Sequence, residues 1–489
     1  MSAPRSVLLR VVLWGVAGLI LVVGLALRVA AAAGDFGIDE ISSMRIAALL
    51  QGPLAAFRVR HDNNHILNTM WLYWLGADHA AVVYRAPSIL AGVVTIVVGG
   101  VIARHHGRAA ALTTALLLCV STLLVNSASE ARGYAPAMAF IACSVWLLER
   151  RLAGSRSRWL AALFGACQVL AMLCHLSAAV VCAALGFHWL VQRARRGDRR
   201  TLVAEAFTLH ALPGLAALAL FLFFVRGMQV GGGATNGKWN TLMQTAGLVF
   251  GLPLDAPSLA LGACVVAGLG VLALTDLWRR DDSRWVLYTV GIGFPLLGLA
   301  MYDITYAAPR YILMSVFFLL LALGSWLGRA IERTGAMRLA GIGVWCTLVT
   351  LNFMGDLELA RLGRGSFRQG VAFIISQSKP GPISVMSDHD FRNPLLLSYY
   401  ARFHPQGDRL VYWLSDHLPA EGVEWLILHR TCGESPPVAQ TIVNGDHYTR
   451  RLALPTAALS GISWFIYRRD PPAARTPDTT APQQRAAPP

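Results

Sequence analysis

The sequence predicts an α-helical polytopic membrane protein with a small C-terminal extracytoplasmic α/β domain. Three observations predict it. Of the 489 residues, 55% are hydrophobic and only 14% are charged, where soluble domains carry about 25% charged residues. The apolar residues fall in runs of roughly 20, the length that spans a hydrocarbon core. The charges gather between those runs, as in a bundle of spanning helices.

Eleven runs are expected as membrane helices, near 11–33, 84–103, 109–127, 134–148, 159–174, 176–191, 207–226, 256–277, 285–301, 311–327 and 339–355. The first is too long for a signal-peptide core and lacks a cleavage context, so it reads as a retained helix. The apolar stretch 241–254 is short and reads as an interfacial helix. Lysine and arginine give an independent check. With the N-terminus in the cytoplasm, cytoplasmic segments hold 19 of them and the opposite segments 8, which is the positive-inside bias. That distribution explains the net charge of +15 without a nucleic-acid partner. Eleven spans then put the C-terminal region outside the cytoplasm.

The domain plan is therefore a transmembrane bundle over 1–355, an extracytoplasmic α/β domain over 356–470 and a tail over 471–489. In the α/β domain, Phe367 to Ser376 and Pro394 to Tyr400 read as helices, and Ile383 to Met386 and Trp425 to Leu428 as strands. The tail is rich in Pro, Ala and Thr with almost nothing apolar to bury, and is expected to be disordered. Seven of the eight cysteines lie in or beside apolar runs, so they do not form a disulfide framework. No Walker loop, dinucleotide fingerprint or Gly-x-Ser-x-Gly is present, which argues against ATP-driven pumping and motif-bearing serine hydrolysis.

Polar residues near the membrane are costly and mark candidate function. They gather on the expected non-cytoplasmic side. Asp39 and Glu40 follow the first helix closely and sit at the bilayer surface, where a carboxylate can act as a general base on a hydroxyl. The same pair also suits a helix start, with Asp39 as cap and Glu40 in the first turn. Asp62-Asn63-Asn64-His65 precedes an apolar helix and fits either sugar hydroxyls, a metal or another helix start. Glu130 and Arg132 are held at the membrane face by a short loop, as a mutual pair or as functional groups. His175 lies in a tight turn and fits a structural or a site role. Lys238 follows a Gly-rich stretch (Gly231, Gly232, Gly233) and reads as a solvated or a phosphate-binding lysine. Arg310 opens the tenth helix after Pro309, and a guanidinium there suits a phosphate or simple snorkelling. Asp388-His389-Asp390 has the form of a metal-binding Asp-x-Asp, on a three-residue match.

In order, Ile38-Asp39-Glu40, Asn63-Asn64-His65-Ile66-Leu67 with Arg85-Ala86-Pro87-Ser88, Ser129-Glu130-Ala131-Arg132-Gly133-Tyr134, and Pro309-Arg310-Tyr311 are laid out as in membrane glycosyltransferases. The chain resembles the GT-C fold enzymes related to protein O-mannosyltransferases and the aminoarabinose transferase of lipid A. The resemblance covers most of the chain and is strongest over 35–150. It implies transfer of a hexose or pentose from a polyprenyl-phosphate donor to a lipid, glycan or protein acceptor, outside the cytoplasm of a bacterial inner membrane. It also implies that Asp39 is the base, with Glu40 supporting it. Arg132, Arg310 and Lys238 would hold the donor phosphate. Asn64, His65, Glu130, Tyr134 and His175 would shape the substrate site. A divalent cation remains open, with Asp39, Glu40 and His65 as candidate ligands. A transporter or lipid flippase, or a non-catalytic protein of envelope polysaccharide assembly, is the alternative. Against a transporter, the sequence has no repeated halves.

Overall fold

The computed structural model describes residues 3–197, 202–231, 236–252, 254, 256–301, 307–419 and 422–471. Gly232 and Gly233 of the Gly-rich stretch, and the expected tail from 472 onward, lie outside the described residues. The chain divides into two compact units. The first holds Met1–Gly365 with Thr431–Gly433 and Thr456–Gly461; the second holds Ser366–Arg430, Glu434–Pro455 and Ile462–Pro489.

The first unit is helical. Its helices are α1 (Ala3–Ala31), α2 (Ile38–Ala48), α3 (Ile66–Leu75), α4 (Ala81–Ala103), α5 (Arg108–Val120), α6 (Thr122–Ala128), α7 (Tyr134–Leu152), α8 (Arg158–Cys174), α9 (Ala178–Arg195), α10 (Leu202–Leu220), α11 (Lys238–Phe250), α12 (Ala256–Arg279), α13 (Arg284–Met301), α14 (Leu313–Glu332) and α15 (Ala336–Leu362). Among the described residues, seven helical stretches are long and apolar enough to cross a membrane, or eight if the bent pair α5–α6 is one span. The chain is a multi-pass membrane protein. A helix stands at each of the eleven expected runs, yet length and hydropathy qualify fewer. Helix α8 has 17 residues, and α7 and α9 end in charged turns (Arg150, Arg151; Arg193, Arg195). The expected interfacial stretch is α11, whose 13 residues are too short to span.

Helix α14 is the most enclosed of the long apolar helices, with 83% of its apolar window buried. Its Gly324 and Gly328 form a small-xxx-small face against α5. A Cβ at Gly328 would lie 2.3 Å from the Ala110 Cα, and one at Gly324 2.2 Å from the Thr114 hydroxyl. Such close backbone approach is how helices pack tightly without a hydrophobic drive between them in lipid. The bend of 59° between α5 and α6 falls at Ser121, whose ψ of 113° is extended. The backbone amide released there, Thr122 N, donates to the Asn352 side chain of α15 at 3.1 Å. A broken span is tolerated only where a neighbour takes up the freed groups. The break redirects α6 into the loop 129–133, which carries Glu130 and Arg132.

The second unit contains α16 (Phe367–Gln377), α17 (Arg392–Ala401) and six strands, β1 (Ile383–Ser387), β2 (Leu410–Tyr412), β3 (Trp425–Thr431), β4 (Gln440–Val443), β5 (Asp446–Leu454) and β6 (Ile462–Arg469). They form one sheet in the order β2-β1-β3-β6-β5-β4. Strands β2 and β3 both run parallel to β1, whereas β4, β5 and β6 pair antiparallel in sequence. The chain leaves β1 through α17 toward β2 on one side, then crosses to β3 on the other. Both helices and both strands expected from the sequence are present. The strands missed are β2, too short to show a period, and the β4–β6 meander. Strand β4 has only four residues, and β6 is almost continuously buried, so neither offers a readable alternation of apolar and polar residues.

Candidate active site

The Glu40 side chain fixes the first turn of the site. Gly37 caps α2, and Glu40 at the third helical position reaches back to the Gly37 amide at 3.0 Å. Asp39 therefore does not cap this helix, as one reading of the sequence had it. It stands at the second helical position, where its side chain turns toward other loops.

Glu40 is buried at 2% exposure. The Arg85 guanidinium grips it with two bonds, Nε to Oε1 at 2.8 Å and Nη2 to Oε2 at 2.7 Å. The other Arg85 donors go to the carbonyls of Ala32, Gly34 and Asp35, so all five N–H groups are used. The Ala131 amide donates to Glu40 Oε1 at 2.8 Å. Burial would raise this carboxyl, but Arg85, with Arg364 and the Ala131 amide, outweighs it and holds the group at about 2. Glu40 thus joins α2, α4 and the loop 129–133, with both oxygens engaged.

Asp39 is different. One oxygen, Oδ2, faces Arg310 Nη1 at 2.8 Å and Arg132 Nη1 at 3.2 Å. Its side chain is 25% exposed, as is Arg310's at 30%, whereas Arg132's is 3% exposed. The same Arg132 Nη1 donates to the Asn63 amide oxygen at 2.8 Å, and the Arg132 carbonyl accepts from Ser88. The result is two guanidiniums on one anionic point at an accessible edge of the unit.

The floor is aromatic and neutral. Tyr134 and His175 lie 4.3 Å apart by ring centroids, and His65 lies 4.9 Å from His175 and 5.3 Å from Tyr134. The Arg132 guanidinium sits 5.6 Å over the Tyr134 ring. His65 Nδ1 donates to the Cys174 carbonyl at 3.1 Å. His175 Nδ1 accepts from the Ser177 amide at 3.2 Å. Burial, then the charges of Arg132 and Arg310, press His175 down to about 3. Burial, then Arg132, hold His65 well below its ordinary value. Gly133 makes this packing possible, because a Cβ there would lie 1.8 Å from the Cys174 carbonyl oxygen.

Glu130 Oε1 accepts from Asn126 at 3.1 Å and Ser460 at 2.6 Å, with Arg364 Nη2 at 3.6 Å. Arg364 is 1% exposed and donates to Ala31, Asn126 and Ser129. Asn64 turns inward and ties the carbonyls of Ala56 and Val59. Lys238 stands apart: its ammonium donates to the Ala300 carbonyl at 3.0 Å, and no contact joins it to Asp39, Arg132 or Arg310 among the described residues. Asp39, Glu40 and His65 do not form one ligand set, and no cluster of three or more metal-binding side chains occurs among the described residues. The residues present do not fit a resident cation held by that trio. Likewise Asp388 and Asp390 face different partners, His429 and Tyr412, rather than a common centre.

Sequence reasoning missed Asn63 as the Arg132 support and Arg364 as the tie between Glu40 and Glu130. Arg364 lies between Gly363 (φ 60°) and Gly365 (φ 149°). In sequence it falls within the expected α/β domain of 356–470, whereas the structure places it in the first unit. A charge between two glycines at the end of a span was the available signal.

This arrangement belongs to a multi-pass membrane protein of the GT-C fold. The chain is similar to ArnT from Cupriavidus metallidurans in the apo state, with a TM-score of 0.50, 12% identity, and 85% of this chain and 93% of that chain covered. ArnT from the same organism bound to undecaprenyl phosphate aligns with a TM-score of 0.49 and 13% identity over 95% and 98% of the two chains. An Archaeoglobus fulgidus oligosaccharyltransferase in the apo form aligns with a TM-score of 0.46 and 9% identity over 85% and 69%. No family model matches the sequence, and no curated protein matches it.

Proposed function

We propose that the protein is a glycosyltransferase that moves a sugar from a polyprenyl-phosphate donor to an acceptor hydroxyl on the non-cytoplasmic face of the membrane. The observation that carries this reading is the convergence of Arg132 and Arg310 on the single Asp39 oxygen. Two guanidiniums on one anionic point suit a phosphate, since they never deprotonate and donate in forks. A carboxylate between them suits a base.

In this reading Asp39 takes the proton of the acceptor hydroxyl. The acceptor oxygen bonds to the anomeric carbon, and the bond from that carbon to the phosphate oxygen breaks. Arg132 and Arg310 stabilise the charge left on the polyprenyl phosphate. His65, His175 and Tyr134 form a neutral wall beside the sugar. Glu40 supports the site by anchoring α2, rather than by touching substrate, and Lys238 has no part in the resting arrangement. Both donor and acceptor arrive laterally or from water, which fits the exposure of Asp39 and Arg310.

Undecaprenyl phosphate is the first probe, measured for binding to the purified full chain in detergent. Arg310→Gln is expected to weaken it about tenfold, as loss of a charged hydrogen bond does. Unchanged binding in Arg310→Gln and in Arg132→Gln would contradict the phosphate role.

A further inference from the structure

The second unit carries a polar cluster that the transfer site does not use. It lies at the carboxyl ends of β1 and β3, neighbouring parallel strands from which the chain departs in opposite directions. In open α/β sheets this switch point opens the crevice in which ligands bind. Asp388, just past β1, accepts from His429 Nδ1 at 2.7 Å and from the His429 amide at 3.1 Å. Arg430 Nη1 approaches the same carboxylate at 3.4 Å. Arg392, the first residue of α17, points Nη1 at His429 Nε2 at 3.3 Å. The His429 imidazole is therefore fixed between an acid and a guanidinium.

Arg430 faces the Asp388 carboxylate directly, and Arg392 reaches the cluster through His429. The nearby Asp390 is occupied by Tyr412 and Ser415. His389 Nδ1 accepts from the first amides of α17, so reading of a ligand falls to the arginine side chains rather than to the helix end. Each guanidinium carries five donors in a planar fork. Beside them stands Phe391, a large aromatic that is 64% exposed. An exposed aromatic face next to two arginines suits a sugar ring bearing an oxyanion.

We infer that the crevice at the ends of β1 and β3 binds an anionic sugar, one carrying a phosphate or a carboxylate, with Arg392 and Arg430 on the oxyanion and Phe391 under the ring. It rests on the transferase reading for its biological sense, as a hold on an acceptor glycan, and not for its chemistry.

The test is calorimetric titration of the full chain in detergent with glucose 1-phosphate, glucuronate, inorganic phosphate and neutral glucose. Both charged sugars should still bind when the transfer-site arginines are removed in an Arg132→Gln/Arg310→Gln variant. They should bind about tenfold or more weakly to Arg392→Gln/Arg430→Gln. Phe391→Ala should weaken the sugars and leave inorganic phosphate unchanged. Phosphorylated sugar binding in preference to glucuronate, or the reverse, identifies which oxyanion is held; either supports the site. Equal binding of glucose, binding untouched by Arg392→Gln/Arg430→Gln, or binding lost only in Arg132→Gln/Arg310→Gln would overturn it. No step uses sugar transfer, so failure of the transferase reading would leave this result standing.

Discussion

Asp39 and Glu40 are adjacent in sequence and opposite in circumstance. Glu40 has both oxygens committed and is sealed off, while Asp39 shares one oxygen between two arginines at an exposed edge. Removing one member of a buried ion pair leaves an uncompensated charge and costs about 3–5 kcal/mol. Glu40→Gln is therefore expected to lose about that much stability, read as a lower melting temperature in detergent. A Glu40→Gln protein that melts like wild type yet cannot act would instead mark Glu40 as reacting directly. The ion pairs of Asp39 have their own consequence. A donor phosphate that takes up Arg132 and Arg310 would release the carboxylate as a stronger base. Asp39→Asn should then bind undecaprenyl phosphate at least as tightly as wild type, and weaker binding would argue against that competition.

The two histidines make a pH prediction at the same scale. Both are held neutral, His175 down to about 3 and His65 well below its ordinary value. In the unfolded chain each binds a proton near pH 6.5. Between there and the folded values the unfolded state holds more protons, so stability falls as pH falls. Melting temperature should be flat above about pH 7 and decline on acidification from about 6.5. His175→Gln should make that decline shallower. An unchanged slope would show that the imidazole titrates freely.

At the level of elements, the site is assembled by short connections rather than by the long helices. The loop 129–133 and the turn after α8 meet because Gly133 has no side chain. Gly133→Ala would drive a methyl into the Cys174 carbonyl and should reduce folded yield sharply, measured by size-exclusion recovery in detergent. Normal recovery with normal binding would mean the loop can shift. Much of this was legible in the sequence. The order of Asp39, Glu130, Arg132 and Arg310 between apolar runs pointed to one side of a membrane, and the structure gathers them at one end of the first unit. What could not be read was which partner each chooses. Nothing in Arg85-Ala86-Pro87-Ser88 says that Arg85 takes Glu40 and leaves Asp39 to Arg132. That choice is made by contacts across 45 and 93 residues, which no local pattern encodes. Lys238 was grouped with the arginines by the resemblance, and the backbone carries it to the Ala300 carbonyl instead.

Across the whole chain, hydrophobic run length predicted the helices well and the number of strict spans less well. Helices α7, α8 and α9 are short or charged at their ends, and their burial among other helices replaces the lipid contact that a hydropathy scale assumes. In the second unit, the apolar strands β1 and β3 were visible and the half-exposed β4 was not. The fold as a whole, a helical bundle whose one end gathers acids and arginines, is what makes a lipid-phosphate substrate the natural reading of the site.

The deciding measurement is sugar transfer from a panel of radiolabelled polyprenyl-phosphate sugars, with purified wild type and Asp39→Asn reconstituted in liposomes with extracted envelope lipids and glycans as acceptors. Wild type should transfer from at least one donor, with a loss of about 10²–10⁴-fold in a well-folded Asp39→Asn, the range a general base supplies. Transfer that survives in Asp39→Asn, or no transfer by wild type from any donor, would contradict the proposed mechanism.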